Sequence, residues 1–378
     1  MVGHRFNSAL FMKRQSFNPN CIEKEHYREI DRFRDSFSMT DSIVSDLMYG
    51  VIDNNIEPYI SVLIPTFNRG ALFREALKSV LCQQSVDFRW ELLVVDNTPL
   101  DEYGTTPALH LIQKIEDDRI LYYRNRENIG SGYNWNRGVQ LARGKWVCFL
   151  HDDDVLCSDA LFHIGNIIRR HENLCKPLGY IHARRLDFTG KFDENEAKKH
   201  DKPYERELTR TGALIHGHTR TGAPSCGTTI LKEAYLHTGG INYGYGGTAD
   251  AVLGYQIMRD YTVLESGKVL GGYRWQENAT LRKESLQNLI EADLLFARYR
   301  YGRTFASRIF GMLFERVQHN MNVYGKLALA RKAHLAMSAH DFDQTLPYKK
   351  SGRFASFLYK MIRQAYHQIE KCNRHYSR

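Results

Sequence analysis

Apolar and polar positions divide the chain into three regimes. In residues 1–58, Tyr27, Ile30, Phe33 and Phe37 recur at three- and four-residue spacing in a polar background, which predicts a helical N-terminal extension. Glu57-Pro58 closes it, because proline disfavours helix at the residue before it. From 59 to 290 short apolar runs alternate with helical patterns. Tyr59-Ile60-Ser61-Val62-Leu63-Ile64, ended by Pro65, reads as a buried strand. A helix follows with Leu72, Phe73, Ala76, Leu77, Val80 and Leu81 on one face. Glu91–Val95, Ile120–Tyr123 and Lys145–Leu150 give three more strands, the last after a helix around Trp135–Ala142. Such alternation predicts an α/β fold with a mostly parallel sheet flanked by helices, and ligands in that arrangement bind beyond the carboxyl ends of the strands. Residues 291–378 return to helical spacing, most clearly at Phe354, Phe357, Leu358, Met361, Ile362, Ala365, Tyr366 and Ile369.

Charge sharpens this division. The chain of 378 residues carries +9, yet residues 296–378 hold 16 Lys and Arg against 4 Asp and Glu. That stretch is therefore at +12 and residues 1–295 are at −3. Basicity belongs to the tail, so the strand-helix region is not expected to bind nucleic acid. A basic amphipathic tail suits an anionic membrane surface. The alternative is that its stripe packs on the protein. Seven scattered cysteines without a C-x-x-C pair argue against a disulfide framework or structural zinc, and fit a reducing cytoplasm. Neither an apolar run long enough to span a bilayer nor a secretory signal is evident, so the expected place is cytoplasmic, peripheral to the inner face of the membrane if the tail engages it.

The strand ends carry the chemistry. His151-Asp152-Asp153-Asp154 follows the fourth run, and adjacent carboxylates there repel unless a cation compensates. Hard oxygen ligands suit Mg²⁺ or Mn²⁺, which can also grip a diphosphate. Pro65-Thr66-Phe67-Asn68-Arg69 follows the first run and Asp96-Asn97-Thr98 the second, offering an aromatic to stack on a base and a carboxylate to accept from it. The same Asp and Asn types also cap turns. Asn128-Ile129-Gly130-Ser131-Gly132 is a glycine-containing turn before a helix, where backbone N–H groups can approach phosphate.

The text ISVLIPTFNR (60–69), ELLVVDNT (91–98) and NIGSGYNWNRGVQLARGKWVCFLHDDD (128–154) resembles the family 2 glycosyltransferases of the GT-A fold. The resemblance covers roughly 60–281 and implies an inverting, single-displacement transfer of sugar from a nucleotide-diphosphate donor, UDP in the usual case. The acceptor would be a hydroxyl of a saccharide or lipid-linked molecule, in the assembly of a bacterial surface polysaccharide or similar glycoconjugate. It implies a donor pocket using Pro65, Thr66, Phe67, Asn68, Asp96, Asn128, Gly130 and Asp152, and a metal site using Asp153 and Asp154. Where the family often has its first Asp this chain has His151, so the register stays open: Asp153 is the direct ligand, or Asp152-x-Asp154 is the working pair. Downstream, Gly239–Asp250 looks like the stretch leading to the family's general base, with Ala249-Asp250 in place of its E-D pair. Asp250 at a helix start would take the acceptor's proton. The segment 272–280 resembles the family's closing strand but lacks the His often found near Gln276. His216-x-His218, in a glycine-rich loop, is expected to line the acceptor side without binding metal. Two rivals are a sugar-nucleotide-binding scaffold without turnover, and a haloacid-dehalogenase-type phosphatase, whose D-x-D-x-[TV] pattern Asp152–Val155 loosely fits.

Overall fold

The computed structural model describes residue 30 and residues 33–216, 226–275, 283–301, 305–332, 334–342 and 352–373. Tyr27, His218 and the 276–280 segment lie outside these residues.

The strands are β1 (Ser45–Tyr49), β2 (Ile60–Thr66), β3 (Trp90–Asp96), β4 (Ile120–Asn125), β5 (Trp146–Phe149), β6 (Val155–Leu156), β7 (Leu178–Phe188), β8 (Glu205–Leu208), β9 (Thr228–Leu231) and β10 (Thr262–Arg274). They form one sheet in the order β1-β4-β3-β2-β5-β9-β7-β10-β6, with β8 paired to β10. β2 and β3 are buried at nearly every position, as expected where helices cover both faces. The helices are α1 (Ala71–Leu81), α2 (Pro107–Ile112), α3 (Gly130–Leu141), α4 (Ala160–Arg170), α5 (Glu194–Lys199), α6 (Arg210–His216), α7 (Lys232–His237), α8 (Ala249–Ile257), α9 (Lys283–Tyr301), α10 (Phe305–Lys332) and α11 (Arg353–Asn373).

The block β4-β3-β2-β5 is parallel, in the register Ile60↔Trp90 through Thr66↔Asp96 and Ile60↔Trp146 through Leu63↔Phe149. From β2 the chain winds outward to β3 and β4, then returns to place β5 on the other side of β2. The gap beyond β2 and β5 is thus a topological switch point, where such sheets bind ligands.

Three expectations change. The sheet is mixed rather than mostly parallel, because β1, β6, β8 and β9 pair antiparallel with their neighbours. The 1–58 region is not wholly helical: Ser45–Tyr49 is a strand covering the open edge of β4, and the run Ile43 to Tyr49 has the β-branched and aromatic content that suits it. The boundary expected at 290 falls inside α9, whose Ala292 and Phe296 join the main core while Leu286 and Ile290 meet Val323 and Leu327 of α10. An amphipathic helix shared by two cores leaves no composition break to read.

The C-terminal region is helical, as its spacing indicates. α11 is fastened to α10 and α6: Phe314, Val317 and Tyr359 form a small core, and Tyr359 donates to the carbonyl of Ile215 at 2.5 Å. Among the described residues no helix is long and apolar enough to cross a membrane.

Candidate active site

The β2 end and the turn after β5 meet across the switch point. Thr66 Oγ1 donates to Asp152 Oδ2 at 2.8 Å, tying the two together. Phe67, next in the chain, leaves its ring 48% exposed, unusual for a Phe beside a core strand and suited to stacking. Asn68 is left-handed (φ 51), a conformation Asn tolerates better than most residues, and its N–H donates to Thr98 Oγ1 at 2.7 Å. Arg69 reaches both carboxylates, its Nε 3.5 Å from Asp152 and an Nη 3.4 Å from Asp153.

Asp96 is fully buried and has a donor on each oxygen. Oδ1 accepts from the Thr98 N–H at 2.7 Å and from the Thr98 hydroxyl, and Oδ2 from Tyr122 at 2.6 Å and Thr106 at 3.0 Å. Burial, with the Asp96 charge beside it, pushes the Tyr122 phenol far above its ordinary value. Asp96 therefore fixes Thr98, and through it Asn68, rather than facing the opening.

A set of asparagines carries the turn before α3 into this arrangement. The Asn125 amide donates to Asn97 at 2.8 Å and to Asn134 at 3.0 Å, Asn134 donates to the carbonyl of Val95 at 2.9 Å, and Asn97 to that of Gly130 at 3.2 Å. Asn136, also buried, accepts from Tyr235 and from the Ile241 N–H. Sequence reasoning assigned none of these a role. The readable signal was two asparagines in the middle of a helix, where this residue type costs stability unless its amide is used. Asn128 accepts the Gly130 N–H at 2.9 Å, and Gly130 has φ 80, so this turn is shaped before any ligand arrives. At Gly132 a Cβ would lie 1.8 Å from the Tyr243 ring.

The three consecutive carboxylates differ in kind. Asp154 is fully buried and ties the turn to the end of β10: Oδ1 accepts from the backbone N–H of Arg274 at 2.8 Å, and Oδ2 lies 2.9 Å from His151 Nδ1. Arg274, itself buried, also donates to the Asp153 carbonyl at 2.8 Å, the Gly190 carbonyl at 2.5 Å and Glu75 of α1 at 2.5 Å. Burial alone would lower the His151 pKa, but the bond to Asp154 and the charges of Asp154, Asp153 and Asp152 outweigh it and raise it. Asp152 also titrates above its usual range, mainly through burial, with the Thr66 bond and Arg69 opposing the rise.

Among the described residues no cluster of three or more His, Cys, Asp or Glu stands ready as a complete metal site. A cation does fit Asp152 and Asp153 with oxygens from a diphosphate and water, since these hard donors already draw the Arg69 guanidinium to them. The Asp152-x-Asp154 register is harder to reconcile with two occupied oxygens on Asp154.

Asp250 lies half-buried in the first turn of α8. Burial keeps the Tyr180 and Tyr243 phenols well above their ordinary value, and the Asp250 charge adds to both. The Tyr243 ring itself packs against Gly132 of α3. A phosphatase of the haloacid-dehalogenase type would carry its nucleophile after the first strand, whereas Asp152 follows the fifth. A depression of about 790 Å³ lined by Tyr49 and Glu116–Arg119 opens at the opposite, amino-terminal end of β4, away from these groups.

Fold and strand-end chemistry together define an α/β domain with a polar, charged site at the switch point of its sheet. Residues 61–222 match the family model described as "Glycosyl transferase family 2". Over 106 residues it is 42% identical to the GalNAc(5)-diNAcBac-PP-undecaprenol beta-1,3-glucosyltransferase of Campylobacter jejuni, covering 28% of this chain and 32% of that protein. Over 107 residues it is 34% identical to the putative teichuronic acid biosynthesis glycosyltransferase TuaG of Bacillus subtilis, covering 28% and 40%. The chain thus spans about a third of the length of the curated relatives it matches. The solved structure of S. aureus TarS 1–349 overlays with a TM-score of 0.47 at 16% identity, over 82% of this chain and 91% of that one.

Proposed function

We propose that this chain transfers a sugar from a nucleotide-diphosphate donor, UDP in the first instance, onto an acceptor hydroxyl with inversion at the anomeric carbon. The observation that carries this reading is the Thr66–Asp152 bridge at the switch point, with exposed Phe67 on one side and the Arg69–Asp152–Asp153 charge cluster on the other. Phe67 offers a face for the base, and the shaped backbone of Asn68 and Gly130 approaches the ribose and phosphates. Arg69 exchanges its carboxylate contacts for diphosphate oxygens, which its planar fork suits. Asp152 and Asp153 would hold a Mg²⁺ or Mn²⁺, which would supply positive charge where the leaving diphosphate gains negative charge. Asp250 takes the acceptor hydroxyl's proton as the new C–O bond forms at the anomeric carbon and the bond to the diphosphate oxygen breaks.

The names of the Campylobacter and Bacillus relatives place them in undecaprenol-linked saccharide and teichuronic acid synthesis. They support a saccharide or lipid-linked acceptor here. The test is a panel of nucleotide sugars assayed for thermal protection and slow donor hydrolysis, with and without Mn²⁺. A ligand held at 100 times its Kd stabilises the folded state by about 2.7 kcal/mol. Protection and hydrolysis by one UDP-sugar in Mn²⁺ are expected. Protection without any hydrolysis would leave a scaffold, and protection by none would end the reading.

A further inference from the structure

The apolar stripe of the last helix does two jobs, and the structure separates them. Ala355, Leu358, Tyr359 and Ile362 turn inward against Phe310, Phe314 and Val317 of α10. Phe354, Phe357 and Met361, spaced i, i+3, i+7 along α11, turn outward at 77, 61 and 50% exposure. A second outward row, which the sequence pattern does not announce, stands on α10: Phe305 and Met312 are each 80% exposed and Leu313 52%. Large apolar side chains bared in rows on two helices mark a surface that meets something. Exposed Arg308, Arg353 and Lys360 lie among them.

We infer that the outer faces of α10 and α11 dock on an anionic phospholipid surface, with Phe305, Met312, Phe354 and Phe357 inserted at the level of the headgroups. Charge selects this occupant. A second copy would bring another +12 region against this one, whereas an anionic leaflet is its complement. Without a bilayer-crossing helix among the described residues, attachment is interfacial and reversible. The inward half of α11, tied to α6 through Tyr359, makes the docked face rigid with the catalytic domain. The inference is independent of the transfer reading, because binding to lipid needs no turnover.

The experiment is flotation of the full chain with vesicles of phosphatidylcholine alone, and of equal parts phosphatidylglycerol and phosphatidylcholine. The chain should float with the anionic vesicles and lose about tenfold in bound fraction on neutral vesicles or in high salt. The triple variants Phe354→Ser/Phe357→Ser/Met361→Ser and Phe305→Ser/Met312→Ser/Leu313→Ser should each weaken anionic binding by about tenfold or more, because each removes apolar insertion. Donor hydrolysis should not change. Should a triple variant unfold, Arg353→Glu/Lys360→Glu reads the same surface through charge and should abolish the preference for anionic vesicles. Equal flotation on both vesicle types, flotation unaffected by these variants, or no flotation at all overturns the inference. So does a dimer in sedimentation that the same substitutions dissolve while vesicle binding stays absent.

Discussion

At the scale of single residues, the acidic turn shows why type and position do not by themselves give role. Asp152, Asp153 and Asp154 look alike in sequence, yet Asp154 is buried between Arg274 and His151 while Asp152 and Asp153 face Arg69. Asp153→Ala should therefore fold normally and lose transfer, whereas Asp154→Ala should cost roughly 1–3 kcal/mol by leaving the buried Arg274 backbone N–H without its acceptor. Denaturant melts of the two variants distinguish them; equal stability would mean that Asp154 is not the anchor described. Asp250→Asn keeps shape but cannot accept a proton, so turnover should fall about 10²–10⁴-fold while donor protection persists. Gly132→Ala forces a methyl into the Tyr243 ring and should cost about 1–3 kcal/mol. In a Tyr243→Ala background the same Gly132→Ala change should cost much less, since the colliding ring is gone. An undiminished cost would show that the glycine serves the helix start rather than the contact. The partners that decide these roles were not legible because they are remote: Tyr122 lies 26 residues from Asp96, and Arg274 lies 120 from Asp154.

Among the elements, legibility followed burial and locality. β2, β3, β4 and β5 are short apolar runs each ended by a turn, and their order along the chain already sets the switch point. β10 was not readable as one strand of 13 residues, because Glu265-Ser266-Gly267-Lys268 breaks its apolar run. Register shifts against β7 accommodate that break, and nothing local announces them. α11 was legible as a helix but not in its division between packing and exposure. For that reason, cutting the chain at Ser351 should yield aggregated protein, because it bares Phe314 and Val317 of α10 and takes the Tyr359 donor from Ile215. A well-behaved truncated chain would mean that α11 contributes little to the fold. Acid should loosen the α4–α5 corner. The His163 hydrogen bond, with Lys198 3.4 Å away, holds Asp159 at about 2, below the ordinary 3.8. A lowered carboxylate pKa stabilises the fold above the ordinary value and stops doing so as pH falls through the lowered one. Stability should thus decline between about pH 4 and pH 2, and Asp159→Asn should flatten that part of the profile in denaturation midpoints.

For the whole molecule, residues 1–295 at −3 and the region from 296 onward at +12 make the chain electrically lopsided. That asymmetry was legible from counting alone; the surface on which it acts was not, since exposure depends on which helix faces find partners. The region 59–290 was likewise readable as an α/β unit, but not the sharing of α9 between two cores.

Arg274 also bears on how the chain matures during synthesis. The acidic turn after β5 leaves the ribosome early, yet the N–H that satisfies buried Asp154 arrives 120 residues later with the end of β10. At 5–20 residues per second the wait is roughly 6–24 s. Over that interval β2 to β5 can pair, but the turn stays loose and Asp154 stays hydrated. A nascent chain stalled before residue 262 should accordingly protect β2 and β3 from protease while leaving the 151–154 turn open to cleavage. The acidic turn thus acquires its final partner only after most of the sheet has emerged.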